Sequence, residues 1–275
     1  MLRFFMRFPE GRKKAFTLSY DDGHRCDLKF LDIINKYGLK ATFNLNMGIV
    51  ATTKDGGRLM REEYSCYEGH EVATHGYTHP FFSQLPPEMV TYEITRDRFE
   101  NEQFFGKIIR GHAYAYGDFD EKSKEILKNA GIVYARGVKS TLNFNIPKDF
   151  LEWQPTCHHK DEHIFGLIDK FLENDPAGEP CIFYVWGHTY EFDFNQERNN
   201  WEHCEEFCKK ISGHEDSVWY ATNIEIYDYV HAYKQLQFSM DGTIVHNPTC
   251  TDLWIGEYRS EKPAVKIPKG ETVRI

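Results

Sequence analysis

Residues 15–24 read AFTLSYDDGH, an apolar run that ends in two adjacent carboxylates. The run is short and contains aromatic and β-branched residues, which is typical of a buried strand. Asp21 and Asp22 would repel each other if both were simply ionised on a surface. An Asp-Gly pair is common in turns, so a plain turn is one interpretation of this stretch. The other is that one acid holds a metal while its neighbour transfers a proton, and the rest of the chain must distinguish the two.

The composition is that of a globular protein with an acidic balance. Of the 275 residues, 41% are hydrophobic and 27% are charged, which allows one large α/β domain or two small ones. The formal net charge of -9 argues against a nucleic-acid partner, which needs a basic face, and gives no attraction to an anionic membrane. The aromatic share of 15% suits a sugar-binding cleft, although aromatic residues more often belong to a core.

The sequence carries no recognisable export signal. It has no stretch of about 20 apolar residues for a membrane span. The apolar part of its start, MLRFFMRFPEGRKK, is too short for a secretory signal. Seven cysteines without a framework spacing fit a reducing compartment. We therefore expect a cytoplasmic protein, although a secreted chain without its leader would look the same.

Short strand-like runs alternate with helical patterns along most of the chain. The runs occupy residues 15–20, 40–45, 70–75, 108–115, 132–137, 181–187 and 217–221. Helical segments between them end on glycine, as at Gly38 and Gly106. Seven such units predict an α/β fold with a mostly parallel sheet, open or closed into a barrel.

The last 40 residues change in character. Asp241-Gly242 lies between two short apolar runs and predicts a hairpin, and further short strands follow it. We therefore divide the chain into a barrel domain over residues 1–233 and a small β-rich appendage over residues 234–275. The simplest role for the appendage is to pack against the barrel or cover an edge.

The reactive side chains fall where predicted strands end. Asp21 and Asp22 follow the first strand, His75 ends the third, Arg136 ends the fifth and His188 follows the sixth. In a parallel α/β barrel the carboxyl ends of the strands meet at one face, which is where active sites lie. We therefore expect these residues to converge.

A metal site is the more specific interpretation of the histidines. His75 and His79 are one turn apart and can face one point, and Asp22 from another strand completes three ligands, as a catalytic zinc requires. Asp21 is then free for proton transfer. The histidine pair alone is a weak motif, and the Asp-Asp-Gly at a neighbouring strand end strengthens it. CHHKDEH, residues 157–163, has a metal-like composition but no defined ligand spacing, so we interpret it as a loop near the cleft.

Four segments resemble motifs of the polysaccharide deacetylase family, carbohydrate esterase family four. LSYDDG is similar to its Thr-Phe-Asp-Asp-Gly motif, and HGYTHP to its His-Ser/Thr-x-x-His motif, with Gly76 in place of the hydroxyl residue. AYAYG resembles Arg-x-Pro-Tyr-Gly, and VWGHTYEFD resembles the final Leu-x-His motif. The resemblance covers about residues 14–225 and implies a distorted (β/α)7 barrel with one divalent metal ion, usually zinc.

The resemblance also implies a role for each matched residue. Asp21 would be the catalytic base, and Asp22 a metal ligand together with the two histidines. His188 would be the general acid. Tyr116 would stabilise the oxyanion through its backbone N–H and contact the substrate. The chemistry is coherent, because amide hydrolysis needs an activated water, a stabilised oxyanion and a protonated leaving amine.

Two motifs depart from the family pattern. Ala113 stands where the family has the arginine that orients the base. Arg110 is three residues upstream, an odd offset that points to the opposite face of a strand, so we expect Arg136 to take its place. DFLEW, residues 149–153, loosely resembles the fourth motif and would make Trp153 a substrate contact. Its simpler interpretation is a surface turn with one buried tryptophan.

The predicted function is metal-dependent removal of an acetyl group from an N-acetylated, or O-acetylated, carbohydrate. One alternative is a hydrolase of a non-sugar C–N amide bond, although relatives of that kind often lose metal ligands that this chain keeps. Another is a catalytically dead carbohydrate-binding barrel, since the third-motif arginine is missing. The sequence leaves the sugar, its length and the oligomeric state open.

Overall fold

A computed structural model describes residues 3–52 and 57–275 of the chain. The strands are β1 Phe4–Arg7, β2 Lys14–Asp21, β3 Ala41–Leu45, β4 Glu71–Thr74, β5 Gly111–Ala113, β6 Tyr134–Arg136, β7 Cys157–His158, β8 Cys181–Gly187, β9 Val218–Tyr220, β10 Gln237–Phe238, β11 Ile244–His246, β12 Leu253–Glu257, β13 Val265–Ile267 and β14 Thr272–Arg274. The α-helices are α1 Cys26–Lys36, α2 Pro87–Phe105, α3 Glu121–Asn129, α4 Ile164–Glu173, α5 Trp201–Ile211 and α6 Asn223–Tyr233. Within the described ranges, every helix is too short or too polar to cross a membrane.

β2 lies at the centre of the main sheet. All of its residues are buried, as expected for a strand that is covered on both faces. It pairs in parallel with β3 and β8, and the strand order is β6-β5-β4-β3-β2-β8-β7. β9 pairs with the first residues of β2. The sheet is a curled half-barrel, which confirms the predicted distorted (β/α)7 architecture.

Helices cover the sheet and end where the sequence predicts. α2 begins at Pro87 and ends at Phe105, and the next residue, Gly106, has a φ of 62°, in the left-handed region that terminates many helices. Phe30 of α1 packs in the main core with Phe43 of β3 and Phe183 of β8. These contacts fix the strand ends relative to one another.

One edge of the sheet differs from the prediction. Cys157 and His158 form β7, which pairs in parallel with β8, where the sequence predicts a loop. Two residues are too few to show the alternation that identifies a strand. The opposite edge ends at β6, where Arg136 forms an isolated parallel bridge with Trp153.

The C-terminal residues form two small antiparallel sheets. The hairpin predicted around Asp241-Gly242 is present as β10 and β11, and β14 pairs with β11. β12 pairs with β13 on one side and with β1 on the other. The N-terminal strand, which the sequence assigns to the barrel domain, is therefore paired with a strand of the appendage.

Candidate functional site

Three residues at the carboxyl ends of β2, β4 and β5 adopt left-handed backbone conformations. Asp22, His79 and Tyr116 have φ values of 83°, 58° and 59°. Such conformations cost on the order of 1–3 kcal/mol for residues other than glycine and concentrate at functional sites. Gly76 also has a positive φ, 81°, which explains why glycine suits the position where the motif elsewhere has Ser or Thr. Three of the predicted site residues therefore lie in turns whose backbone conformations do not occur in regular helices or strands.

Asp22, His75 and His79 form one cluster. Each offers one ligand atom, and these atoms lie within 4.8 Å of one another. His75 Nδ1 is 2.7 Å from the carbonyl oxygen of Ala113, so we assign the hydrogen to Nδ1 and leave Nε2 free as a ligand. That Nε2 is buried and has no hydrogen-bond partner among residues 3–52 and 57–275. A divalent ion at the cluster would satisfy this otherwise costly atom, so the residues present fit a metal.

The protonation states of the cluster suit a cation. Burial lowers the pKa of His79 to about 4, and nearby His75 adds to the effect. Burial also lowers the pKa of His75, against the opposing charge of Asp21. Burial would raise the pKa of Asp22, but the charges of His75 and Arg58 lower it overall. At neutral pH the cluster thus offers two neutral imidazoles and a carboxylate, which are ligands that zinc accepts.

Asp21 lies against this cluster and is almost fully buried. Its two oxygens accept hydrogen bonds from Arg136 Nη2 at 2.7 and 2.5 Å, and Oδ1 also accepts from Asn44 Nδ2 at 2.8 Å. Its Oδ2 is 3.7 Å from His75 Nε2. Burial alone would raise its pKa, but the Arg136 guanidinium, His75 and His188 hold the pKa at about 2. Asp21 is therefore an anion at any pH at which the protein would work.

Arg136 occupies the space that Ala113 leaves empty. The two residues are directly paired across β5 and β6, so their side chains point to the same face of the sheet. The guanidinium is fully buried, its carbon lies 4.5 Å from the centre of the Trp186 ring, and Nη1 donates to the Gly137 carbonyl at 3.2 Å. Arg110 instead pairs with Asp228 at the outer surface, at 2.5 to 2.9 Å.

His188 approaches the same oxygen of Asp21 as His75 of the cluster does. Its Nε2 is 3.8 Å from Asp21 Oδ2, and its Nδ1 is 2.9 Å from Glu191 Oε1. Burial lowers its pKa, but the hydrogen bond to Glu191 and the charges of Asp21 and Asp22 outweigh burial and raise it above the ordinary value. The Nδ1 contact fixes the ring so that Nε2 faces the cleft.

Glu191 collects several donors beside His188. His158 Nε2, His159 Nε2 and Lys160 Nζ lie 3.4 to 3.5 Å from its oxygens. His158, His188 and Glu191 also offer ligand atoms within 4.8 Å of one another. His158 Nδ1, however, accepts a hydrogen bond from the Lys160 backbone N–H at 3.2 Å, so its Nε2 carries the hydrogen and faces Glu191 as a donor. We therefore interpret this group as donors gathered around one carboxylate, among which the His188 Nδ1 contact at 2.9 Å is the hydrogen bond.

Helix α2 holds the loop that carries the two metal-cluster histidines. Asp97 accepts the backbone N–H of His75 at 3.0 Å and that of Met47 at 2.8 Å. Glu93 accepts the backbone N–H and the hydroxyl of Thr78 at 2.7 and 2.8 Å. Both carboxylates are buried. Asp97 and Glu93 therefore fix the conformation of the loop between the two histidines through its backbone N–H groups. Contacts of this kind leave no motif in the sequence.

Three polar residues of the site were not predicted. Glu191 lies three residues after His188 in a 3-10 turn, a spacing that the sequence shows but that is too common to be diagnostic. Asn44 is an amide inside the fully buried strand β3, and an amide in such a run is a signal that sequence analysis could use. Arg58 donates to Asp22 Oδ1 at 2.8 Å from a distant loop, and no sequence pattern indicates that contact.

Two predicted substrate contacts have different outcomes. The Tyr116 ring is 55% exposed and lies 4.5 Å from the His79 ring, beside the cluster. Trp153 is only 2% exposed and packs against Tyr134, Phe150 and Tyr184 in a core. The predicted contact between Trp153 and substrate is therefore corrected: the tryptophan is a core residue, which agrees with the simpler interpretation of DFLEW.

The fold and the site together define an α/β-barrel protein with a carboxylate–histidine centre at the carboxyl ends of its strands. Residues 9–135 match the family model for polysaccharide deacetylase. The match covers a little under half of the chain and includes both the Asp21-Asp22 segment and the His75–His79 segment, so this part of the chain is similar to polysaccharide deacetylases.

Solved structures with the same fold share little sequence with this chain. A Mycobacterium smegmatis protein assigned as a polysaccharide deacetylase is 16% identical, with a TM-score of 0.59, over 82% of this chain and 93% of that one. The peptidoglycan deacetylase PdaC from Bacillus subtilis is 16% identical, with a TM-score of 0.50, over 82% and 96% of the two chains. A family 4 pseudoenzyme from Bacillus anthracis, BA3943, is also 16% identical, with a TM-score of 0.50, over 80% and 67%. At this identity the likeness supports the fold.

Proposed function

We propose that the protein is a metal-dependent hydrolase that removes acetyl groups from an acetylated carbohydrate and releases acetate. The observation that carries the proposal is the arrangement around Asp21. One oxygen of this ionised, buried carboxylate, Oδ2, lies 3.7 Å from His75 Nε2 of the metal-type cluster and 3.8 Å from His188 Nε2. Hydrolysis of an amide needs these three functions next to one another.

Asp22, His75 and His79 would hold the ion, and zinc is the metal that this ligand set favours. When bound, the ion would supply Lewis acidity toward water and the acyl oxygen. Asp21 removes a proton from the attacking water. Its pKa of about 2 makes it a weak base for free water, so it can act only on water that is already acidified.

The remaining steps use residues outside the cluster. Arg136 keeps Asp21 ionised and fixes its rotamer. The backbone N–H of Tyr116 stabilises the oxyanion. His188, protonated, donates from Nε2 to the leaving amine nitrogen as the bond between carbon and nitrogen breaks. The water oxygen ends in acetate, and the sugar keeps a free amine.

Two alternatives use the same barrel. A pseudoenzyme with this fold shows that the architecture does not guarantee turnover. The absence of the third-motif arginine favoured a dead barrel, but the guanidinium of Arg136 now contacts the candidate base. A hydrolase of a non-sugar amide is disfavoured because all three candidate ligands are retained and lie together.

Acetate release from a panel of acetylated sugars and one cyclic amide, with and without a chelator, tests the proposal. We expect release from a sugar, loss with chelator and recovery with zinc. Asp21→Asn should keep the metal content and lose about 10²–10⁴ in rate, whereas Asp22→Asn should lose metal. Asp228→Asn, at the outer surface, is the control. Turnover of the cyclic amide alone would support the first alternative, and sugar binding without any turnover the second.

A further inference from the structure

Arg58 contacts the candidate metal ligand Asp22 at two points. Its Nη2 donates to Asp22 Oδ1 at 2.8 Å, and its Nη1 donates to the backbone carbonyl of Asp22. Asp22 has a φ of 83°, so it is held in a conformation that residues other than glycine rarely adopt. The guanidinium therefore fixes both the backbone and the side chain of Asp22, and it leaves Oδ2 as the carboxylate oxygen that an ion can use.

The same guanidinium reaches the other half of the cluster through Asn46. Arg58 Nη1 donates to Asn46 Oδ1 at 3.2 Å, and Asn46 Nδ2 donates to the backbone carbonyls of His75 and Gly76 at 2.8 and 2.7 Å. Asn46 follows β3, which lies between β2 and β4 in the sheet, and it is buried. A continuous set of hydrogen bonds therefore joins Asp22 to the turn that carries the two candidate histidines.

Arg58 is held in place by its own neighbours in the chain. Leu59 donates its backbone N–H to the carbonyl of Gly23 at 2.9 Å, and the carbonyl of Gly57 accepts the backbone N–H of Arg25 at 3.0 Å. The side chain of Leu59 is fully buried. The position of the guanidinium therefore depends on backbone hydrogen bonds and on burial as well as on its ion pair.

We propose that Arg58 and Asn46 are positioning residues that couple the two halves of the candidate metal site, so that Asp22 and the turn of residues 75–79 are arranged before an ion binds. This inference rests on the metal site of the proposed function and not on turnover. Ligands that are held by outer hydrogen bonds bind a metal more tightly, and loss of one such partner commonly costs about 10- to 100-fold in affinity.

An ordinary surface ion pair explains these contacts less well. The side chains of Arg58 and Asp22 are 26% and 13% exposed, whereas those of the surface pair Arg110 and Asp228 are 34% and 48% exposed. Arg110 contacts that one carboxylate through both of its Nη atoms. Arg58 instead divides its donors between a carboxylate, a backbone carbonyl and the amide of Asn46, which is the arrangement that a connecting residue needs.

A simple charge effect on the ion has the opposite sign. The guanidinium is positive, so on charge alone it repels a divalent cation, and its removal would strengthen metal binding. If the hydrogen bonds dominate, its removal frees Asp22 and the turn of residues 75–79 and weakens binding. The guanidinium is about a quarter exposed, so solvent screens its repulsion. We therefore expect weaker binding when Arg58 is replaced.

The test measures zinc affinity by competition with a chromogenic chelator, without substrate. Arg58→Gln should weaken zinc binding by about ten-fold or more. Arg58→Lys should weaken it as well, since a single ammonium nitrogen cannot hold Asp22 and Asn46 together. Arg25→Gln is the matched control, because it removes a neighbouring ion pair, with Glu63 at 2.8 Å, and should bind zinc as the unmodified protein does.

The coupling itself is tested at Asn46. Asn46→Ala should weaken zinc binding, and the variant that combines it with Arg58→Gln should lose little more than the larger single loss, because both changes break the same connection. Single losses that multiply in the combined variant would indicate independent contacts and overturn the coupling. Thermal unfolding verifies that each variant is folded, and if Asn46→Ala is not, the two Arg58 variants decide.

The outcomes separate this inference from the proposed function. Zinc affinity that is unchanged or higher in Arg58→Gln, or that Arg58→Lys retains in full, overturns the positioning role. If the unmodified protein binds zinc but releases no acetate from any sugar, the deacetylase proposal fails while the affinities still decide the role of Arg58. Absence of zinc binding in the unmodified protein overturns both.

Discussion

At the residue scale, the candidate base depends on a cation that comes from an unexpected position. Asp21 is buried, and a buried carboxylate without a positive partner would take up a proton. The partner is Arg136, one strand away from the position where the motif elsewhere has arginine, and it lies directly beside Ala113 in the sheet register. The ionisation of Asp21 therefore depends on where the guanidinium lies in space, and not on which strand carries the arginine.

We expect Arg136→Lys to lose about ten-fold or more in kcat while metal content and fold are retained. The arginine reaches Asp21 with Nη2 while Nη1 is held by Gly137 and the plane lies near Trp186. A lysine has a single nitrogen and no planar group, so it cannot keep these contacts together. Arg110→Lys, at the surface pair with Asp228, is the matched control. Unchanged kcat in Arg136→Lys would show that any cation suffices.

Glu191→Gln should shift the alkaline limb of the kcat profile to lower pH. The carboxylate raises the pKa of His188, and the acid must be protonated to donate. Removing the charge lowers that pKa, so the donor is lost at a lower pH than before. Steady-state rates from pH 5 to 10 measure the shift, with Glu205→Gln, in a surface ion pair with Lys36, as the control. If the alkaline limb of the kcat profile does not move, it reports the titration of a group other than His188.

At the element scale, the pattern of short strands and longer helices is readable from the sequence, whereas the register between strands is not. β2, β3, β4 and β8 are apolar runs that fall within one residue of their predicted limits. The predicted convergence of residues at strand ends follows from parallel topology alone. That Arg136 of β6 can serve in place of an arginine on β5 follows from the register of these two strands, which the sequence does not show. The donors around Glu191 are placed by β7, which is only two residues long and was not predicted.

Asp97 on α2 shows how a helix that packs on the sheet can control the loop that carries candidate metal ligands. Asp97→Asn places an amide nitrogen opposite a backbone N–H of His75 or Met47, so one hydrogen bond is lost. We expect zinc affinity to fall about ten-fold or more, as for other residues that orient ligands. Competition with a chromogenic chelator measures the affinity. Asp118→Asn is the control, because Asp118 also accepts a backbone N–H in a loop, that of Ser83, but lies outside the cluster. An equal loss of zinc affinity in both variants would indicate a general loosening of the structure.

At the scale of the whole molecule, the site joins residues from distant parts of the chain. Asp21 and Arg136 come from β2 and β6, and His188 follows β8. A half-buried carboxylate also joins the barrel elsewhere. Glu71 of β4 accepts hydrogen bonds from Thr42, from Tyr134 and from the backbone N–H of Ile224 at the start of α6. Burial raises its pKa to about 7 against the effect of these donors.

This pKa predicts how stability depends on pH. Below its ordinary pKa Glu71 is protonated in both the folded and the unfolded chain. As the pH rises toward 7, the unfolded chain loses the proton first, so the free energy of unfolding falls. In the unmodified protein, Glu71 should lower the free energy of unfolding by on the order of 3 kcal/mol between pH 4.5 and pH 7. Glu71→Gln should abolish this decrease. Urea unfolding of both proteins across that range measures the difference, and parallel curves would refute the shifted pKa.

The pairing of β1 with β12 has a consequence for synthesis on the ribosome. β1 is made before the barrel strands, yet the strand that completes its hydrogen bonds emerges some 250 residues later. At about 5–20 residues per second, roughly 10 to 50 s pass during which Phe4–Arg7 presents an unpaired edge. The barrel strands from β2 to β8 are complete before that time ends. The strands that form the rim of the candidate site are therefore available for pairing before β1 has its partner.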